Sequence, residues 1–282
     1  MPYHIEGYGY YGQVACTGVF YMTDKEVFVE LSRNVMTIYF NRPLRRNSLT
    51  VDAAVLLHSA LLAASADGTL KILVLRGYGD DFCCGADINT AMSDDCEEHG
   101  GQYRDPRPYE IARLLYNLPA VTIAAIRGGC AGAAIGWAAA CDFRLASETA
   151  KFNTAFLTVG MAGDMAGVWF MTRLVGATRA RDLFFLPRKF GAAEALDLGF
   201  LTRTVPDQHF DGALSEMVTR LSASAPLALK AMKANFNDAE RLDLDAYVIR
   251  ETERHQTLYG TEDRVEAFSA FIEKREPHFT GR

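Results

Sequence analysis

No run of apolar residues in this chain reaches the roughly 18 that a membrane-spanning helix needs. The longest candidate, 131–140, is interrupted by Gly132 and Gly136 and stops at Cys141-Asp142. A basic first region and a clean apolar stretch are also missing from the N-terminus, so it does not read as a secretory leader. Residues 1–22 are rich in Tyr and Gly and read as an extension ahead of the folded part. Metal-type Cys-x-x-Cys pairs are absent, although Cys16, Cys83, Cys84, Cys96, Cys130 and Cys141 are spread along the chain. The adjacent Cys83 and Cys84 make a poor disulfide. The cysteines read as reduced thiols in a cytoplasmic protein, most of them small apolar fillers. Basic excess is missing too. The formal net charge is −6 and no Lys/Arg run occurs, which argues against a nucleic-acid partner. A local Arg/Lys cluster can still hold an anion. There is no internal repeat.

What is present is ordinary for a globular protein: 282 residues, 49% apolar and 23% charged, enough for one large domain with a substantial core. Residues 27–31 and 35–40 alternate like strands around a Ser32-Arg33-Asn34 turn. Thr50 is placed to cap a helix running to about residue 65, with Asp52 in its first turn. Residues 72–75, 121–126 and 143–146 read as buried strands. A helix over 111–118 ends before Pro119. Residues 92–108 are polar and irregular, with Asp94, Asp95, Glu97 and Glu98. From about 208 onward the pattern is helical only, over 211–223, 226–238, 243–258 and 261–274. The organisation predicted is an extension (1–22), an α/β core (23–207) and a C-terminal helical region (208–282).

Two segments carry chemistry. Asp81-Phe82-Cys83-Cys84-Gly85-Ala86-Asp87-Ile88 follows one buried strand and enters a helix. Gly128-Gly129-Cys130-Ala131-Gly132-Ala133-Ala134-Ile135-Gly136 follows the next strand and does the same. Either alone reads equally well as a plain β–α turn or as tight helix packing. Together they offer two sets of backbone N–H groups at helix starts, which is what an enolate oxyanion requires.

The ordered landmarks of the chain resemble those of the enoyl-CoA hydratase/isomerase (crotonase) family from about residue 25 to 280. They are Asn41-Arg42-Pro43 with Arg46-Asn47-Ser48-Leu49, Phe82 to Ile88, Pro119 to Gly128, Gly132-Ala133-Ala134, Cys141-Asp142, Ala150-Lys151-Phe152, Arg173-Leu174-Val175-Gly176, Ala192 to Ala195 with Gly199-Phe200-Leu201, and Phe271 to Arg275. The resemblance implies a spiral of ββα turns with a C-terminal helical trimerisation region, hence a homotrimer or a dimer of trimers. It implies an acyl-CoA thioester as substrate, with coenzyme A entering only as part of it and no metal or other cofactor. The amides of Ala86 and Ala133 would form the oxyanion hole; alanine replaces the family's usual glycine at 133 and keeps the N–H. CoA contacts would come from Arg45 and Arg46, from Cys84, Ala86, Asp87 and Ile88 along the first turn, and from Lys274 and Phe279 near the C-terminus. Asp87 also reads as opening its own helix.

The resemblance also locates what this chain lacks. Family hydratases carry two glutamates, and the matching positions here are Gly136 and Phe156. Without that acid and base an ordinary hydration is not expected. Family isomerases carry an Asp or Glu at the position of Asp164, and one carboxylate suffices to move a proton from C2 to C4. Phe156, Met161, Met165 and Trp169 would line the pocket and raise the pKa of that acid. The plain alternative for Asp164 is capping a helix over 165–174. Competing readings remain: a hydratase drawing its acid from 92–108, a dehalogenase-like acyl-CoA hydrolase with Asp164 as nucleophile, or a non-catalytic acyl-CoA binder. The dehalogenase pattern wants a Trp at 156 and a histidine base; the nearest histidine in the relevant region is His99.

Overall fold

The computed structural model describes residues 25–91 and 105–282. The predicted extension 1–22 and the acidic segment with Asp94, Asp95, Glu97, Glu98 and His99 lie outside the described residues.

The chain opens with the antiparallel hairpin β1 (Val27–Ser32) and β2 (Val35–Phe40), in which Val29 pairs with Ile38 and Ser32 with Val35. Arg33 turns it in the left-handed region, at φ 53°. Helix α1 (Val51–Ala66) starts where Thr50 accepts a hydrogen bond from the Ala53 amide at 3.1 Å. There follow β3 (Ile72–Gly77), the single turn α2 (Ile88–Ala91) and α3 (Arg107–Asn117). Next come β4 (Val121–Ile126), β5 (Gly129–Ala131), α4 (Ala133–Ala140), β6 (Phe143–Ser147) and β7 (Lys151–Asn153). The core ends with α5 (Gly167–Val175), α6 (Ala177–Phe185), β8 (Phe190–Gly191), α7 (Ala192–Asp197) and β9 (Arg203–Val205). Four helices close the chain: α8 (Phe210–Ser222), α9 (Pro226–Ala239), α10 (Leu244–Tyr259) and α11 (Glu262–Glu273).

The strands form a six-stranded sheet in the order β1-β2-β3-β4-β6-β9, parallel after the hairpin, and a smaller sheet β5-β7-β8. Central strands read as unbroken apolar runs because both faces are covered. On β3, Leu73 and Leu75 join the main core with Leu57, Leu61, Ile111 and Leu115 of the covering helices. The alternate residues Ile72 and Val74 point the other way, onto Phe210, Ala213 and Leu214 of α8. The C-terminal helical region is therefore not a separate layer at its start: α8 supplies the second cover of the sheet. Short strands such as β5 and β9 carry too few residues for a period to show, and β5 stands inside what the sequence suggests is simply a turn entering a helix.

Helix α9 is tied to the core by a buried cation, with Lys230 donating to the Gly68 carbonyl at its exposed side. Lys233 is 5% exposed, and its Nζ lies 2.8 Å from Asp142 Oδ2 and donates to the Ala120 carbonyl at 3.0 Å. Beyond it the helices α10 and α11 turn apolar side chains outward, Phe271 at 85% and Ile272 at 78% exposure. Among the described residues no helix is long and apolar enough to cross a membrane.

Removing Lys233 takes the cation from Asp142, which is 27% exposed and keeps its Thr122 hydrogen bonds, and leaves the Ala120 carbonyl without its donor, together a cost of about 3 kcal/mol. Lys233→Met should therefore lower the urea midpoint by an amount equivalent to about 3 kcal/mol, with the slope unchanged. A loss under about 1 kcal/mol would show that α9 is held by its apolar contacts instead.

Candidate active site

Two strand-to-helix turns lie back to back. Cys83 and Cys130 form a parallel bridge: the Cys83 amide donates to the Gly129 carbonyl and the Ala131 amide to the Cys83 carbonyl, both at 3.0 Å. Both thiols are fully buried, and the four cysteines among the described residues are free. Each chain then turns on a glycine at positive φ, Gly85 at 88° and Gly132 at 56°. A Cβ on Gly85 would sit 2.9 Å from the Ala131 carbonyl oxygen and 3.6 Å from the Gly132 Cα. The backbones approach this closely only because position 85 has no side chain.

An alanine follows each glycine. Ala86 bridges to Leu49, but the ladder uses the Leu49 and Asp87 amides. The Ala86 N–H is left out of it. Ala133 is the first residue of α4, where an amide has no intrahelical acceptor. Neither amide donates to an acceptor among the described residues. Two N–H groups on touching turns are thus left without an acceptor among the described residues.

Polar staples fix the turns. Asp81 accepts the Gly129 amide at 2.6 Å and a two-pronged contact from Arg46 at 2.9 Å. Burial alone would raise the Asp81 carboxyl, but these hydrogen bonds and the Arg46 charge outweigh it and hold the carboxyl below its ordinary value. Asn47, fully buried, donates to the Asp81 carbonyl at 2.6 Å. The buried Asp87 pairs with Arg42 at 2.8 Å. Sequence reasoning did not single out Asp81 or Asn47 as staples, because long-range side-chain contacts leave no local signal.

Asp164 stands in the loop between β7 and α5. Its Oδ1 is buried without a hydrogen-bond partner, and burial pushes its carboxyl up to about 6. It does not cap the helix. The N-cap of α5 is Ala166, with no side-chain hydrogen bond, and α5 begins at Gly167 rather than 165. Only the Asp164 carbonyl is engaged, by the Gly167 amide at 2.9 Å. Phe156 is 9% exposed and stacks on Phe184 with centroids 6.1 Å apart. Met161 is 60% exposed, at the outer edge of the loop. Trp169 packs on Tyr116 and Phe170, with the Arg173 guanidinium 3.6 Å over its ring.

The predicted CoA positions fall into two groups. Arg45, Arg46, Cys84, Ala86 and Ile88 cluster at the first turn; Arg46 is 65% exposed despite its Asp81 contact, and the half-buried Cys84 thiol is raised by burial. Lys274 is the left-handed C-cap of α11, at φ 55°. Phe279 lies in the tail, next to Thr280, whose amide donates to Asp263 at 2.7 Å. No hydrogen bond or ion pair among the described residues joins this end to the first turn. Nor is any group of three or more His, Cys, Asp or Glu side chains among the described residues arranged to hold a metal ion.

Comparison with known proteins agrees with this geometry. Residues 30–282 match the family model described as enoyl-CoA hydratase/isomerase. A 1,2-epoxyphenylacetyl-CoA isomerase of Escherichia coli (strain K12) is 30% identical, over 91% of this chain and 98% of its own length. A 2,3-dehydroadipyl-CoA hydratase of the same organism is 31% identical, over 91% and 99%. The crystal structure of an enoyl-CoA hydratase from Bacillus anthracis superposes with a TM-score of 0.84 at 26% identity, covering 92% of this chain and all of its own, 100%. This sheet, these paired turns and this extent of match make the chain a member of the enoyl-CoA hydratase/isomerase family.

Proposed function

We propose that this protein is an enoyl-CoA double-bond isomerase in which Asp164 carries the proton and the Ala86 and Ala133 amides hold the thioester oxygen. The observation that carries the reading is the state of Asp164: a buried carboxyl with an unpartnered oxygen, on the loop beside α4. A structural aspartate would be paired or capping. An unpaired buried one is a group kept ready.

The steps are as follows. A 3-enoyl thioester places its carbonyl oxygen on the two amides. Asp164 removes a proton from C2, and the electron pair passes into the thioester, forming a dienolate with negative charge on the held oxygen. Preorganised amides stabilise that charge without reorganising. The electrons return through C2–C3, and C4 takes the proton from Asp164. One carboxylate serves both transfers and no water is consumed.

Hydration is disfavoured by space as well as by chemistry. A Cβ at Gly136 would meet the Met165 carbonyl oxygen at 2.5 Å, so the first hydratase glutamate has no room. Phe156 occupies the second position and is packed on Phe184. The E. coli relative is named as an isomerase of an epoxide thioester, which supports isomerisation as a reaction class without specifying a double-bond shift, while the hydratase names among the relatives keep the competing reaction in the test. The outward apolar residues of α10 and α11 support the homotrimer that the family resemblance implies.

Turnover of 3-hexenoyl-CoA in D₂O should shift the double bond, with deuterium entering C4 only to the extent that the proton on Asp164 exchanges with solvent before it is returned, and entering C2 only where the first transfer reverses after such exchange. Asp164→Asn should reduce this rate at least about 10²-fold, the usual contribution of a positioned acid or base. Hydration of 2-hexenoyl-CoA that survives this substitution would reject the proposal and point to an acid in 92–108. Asp164 must be ionised to take the proton, so kcat/KM should fall as pH drops through about 6. Folding responds to the same carboxyl with a defined sign. The native state binds the proton more tightly than the unfolded chain, whose pKa is near the ordinary 3.8. Stability is therefore lost as pH rises from about 4 to 6. Asp164→Asn removes that penalty. It should stabilise the protein on the order of 2 kcal/mol at pH 8 and change little at pH 4, read by denaturant melts at both pH values.

A further inference from the structure

Gly136 lies on α4, three residues past Ala133, or roughly 4.5 Å along the helix axis. In a helix interior glycine is about 1 kcal/mol worse than alanine. The position is wholly buried, so solvent gives no reason for it. The loop supplies one. A Cβ on Gly136 would lie 2.5 Å from the Met165 carbonyl oxygen and 2.9 Å from the Met165 Cβ. A Cβ on Gly167 would stand 3.7 Å from the Gly136 Cα. The backbone of the loop is therefore seated directly on the bare face of α4.

That seat attaches the loop directly after Asp164, as the Phe156 stack on Phe184 attaches its start. Residues 157–163 are all exposed, whereas Met165 and Gly167 are buried. Met165 and Ala166 reach their places at φ 50° and 54°, a left-handed pair that costs non-glycine residues about 1 kcal/mol or more each. A helix glycine and two strained residues are locally unfavourable choices. All of them meet beside one unpaired carboxylate.

We infer that Gly136 is a positioning residue for Asp164: the missing side chain admits the Met165 carbonyl to α4, and this seat fixes the Asp164 carboxyl beside the turn that carries Ala133. The inference rests on the reading of Asp164 as proton carrier and extends it. The glycine at a hydratase glutamate's position then removes one acid and also builds the seat of another. No charged group among the described residues sets the Asp164 pKa; burial is its whole cause. A loop pushed outward exposes the carboxyl and lets its pKa fall.

The test uses Gly136→Ala, whose overlap the exposed loop can relieve by moving outward, and Met165→Val. Valine is β-branched and resists positive φ, so it shifts the loop without touching α4. The Asp164 carboxyl is titrated by carbon NMR in the substrate-free protein, and kcat and KM are measured on 3-hexenoyl-CoA. Both variants should move the midpoint down from about 6 toward the ordinary 3.8. They should lower kcat about ten-fold or more, as small misplacements do, with KM changed less than about two-fold. A merely structural role would lower the melting temperature and leave the midpoint in place. A midpoint unmoved in a folded variant overturns the inference, and Met165→Val decides if Gly136→Ala does not fold. Because the titration does not depend on turnover, a moved midpoint with Asp164→Asn still fully active would uphold the positioning and reject the proton carrier.

Discussion

The closeness of two backbones governs this molecule. Gly85 and Gly132 let two strand-to-helix turns touch, and the bridge between Cys83 and Cys130 holds them there in the driest part of the core. Everything nearby serves that contact. The parallel strands β3 and β4 deliver both turns to the same end of the sheet. Buried small thiols fill the space where larger side chains would part the strands. Asp81 and Asn47 spend their hydrogen bonds on the loop and on Gly129, not on solvent. The result is a pair of N–H groups whose direction is set by covalent geometry and packing, with little freedom left to any side chain. Amides held this way can stabilise charge as it appears, since no rearrangement is needed.

The acid is governed by the opposite arrangement. Asp164 sits on a loop whose outer residues are exposed and whose backbone is strained at Ala155, Met165 and Ala166. Burial without a partner disfavours its charged form, so the group destabilises the fold at neutral pH. The core offsets this easily, because the sheet is covered on both faces by separate apolar clusters. A rigid frame can thus carry a locally unfavourable group, and such groups concentrate where chemistry is done.

Much of this was legible in the sequence, for physical reasons. Long periodic elements declare themselves. The four C-terminal helices, the hairpin and the Thr50 cap lie within a residue or two of where spacing and capping chemistry put them. The two glycine turns were legible because a ligand-facing backbone demands small residues, and their pairing made the oxyanion reading specific. The short strands β5, β7 and β8 were not, since two or three residues carry no period. The role of α8 as a cover of the sheet was hidden as well: a helix pattern states which face is apolar and not what it meets. Gly136 could be read only as an absence. That the absence is filled by the Met165 carbonyl is a three-dimensional fact, and no residue near 136 in the chain encodes it.

The proposed hole and the proposed acid are carried by separate parts of the scaffold. The hole is built from glycine contacts and strand pairing, so altering it disturbs the core. The proposed acid rides on a loop with an exposed outer part, which meets the core through Phe156, Met165 and the bare face of α4 at Gly136. Changing Gly136 to a glutamate would not add a second acid to this site. It would thrust a side chain into the Met165 carbonyl, unseat the loop and dislodge the acid already there. In this chain a carboxylate side chain at 136 and the loop as it is seated exclude one another sterically. Overall identity to a named isomerase and to a named hydratase, 30% and 31%, does not separate the two reactions, whereas the proposed reading ties the choice to what occupies this face of α4.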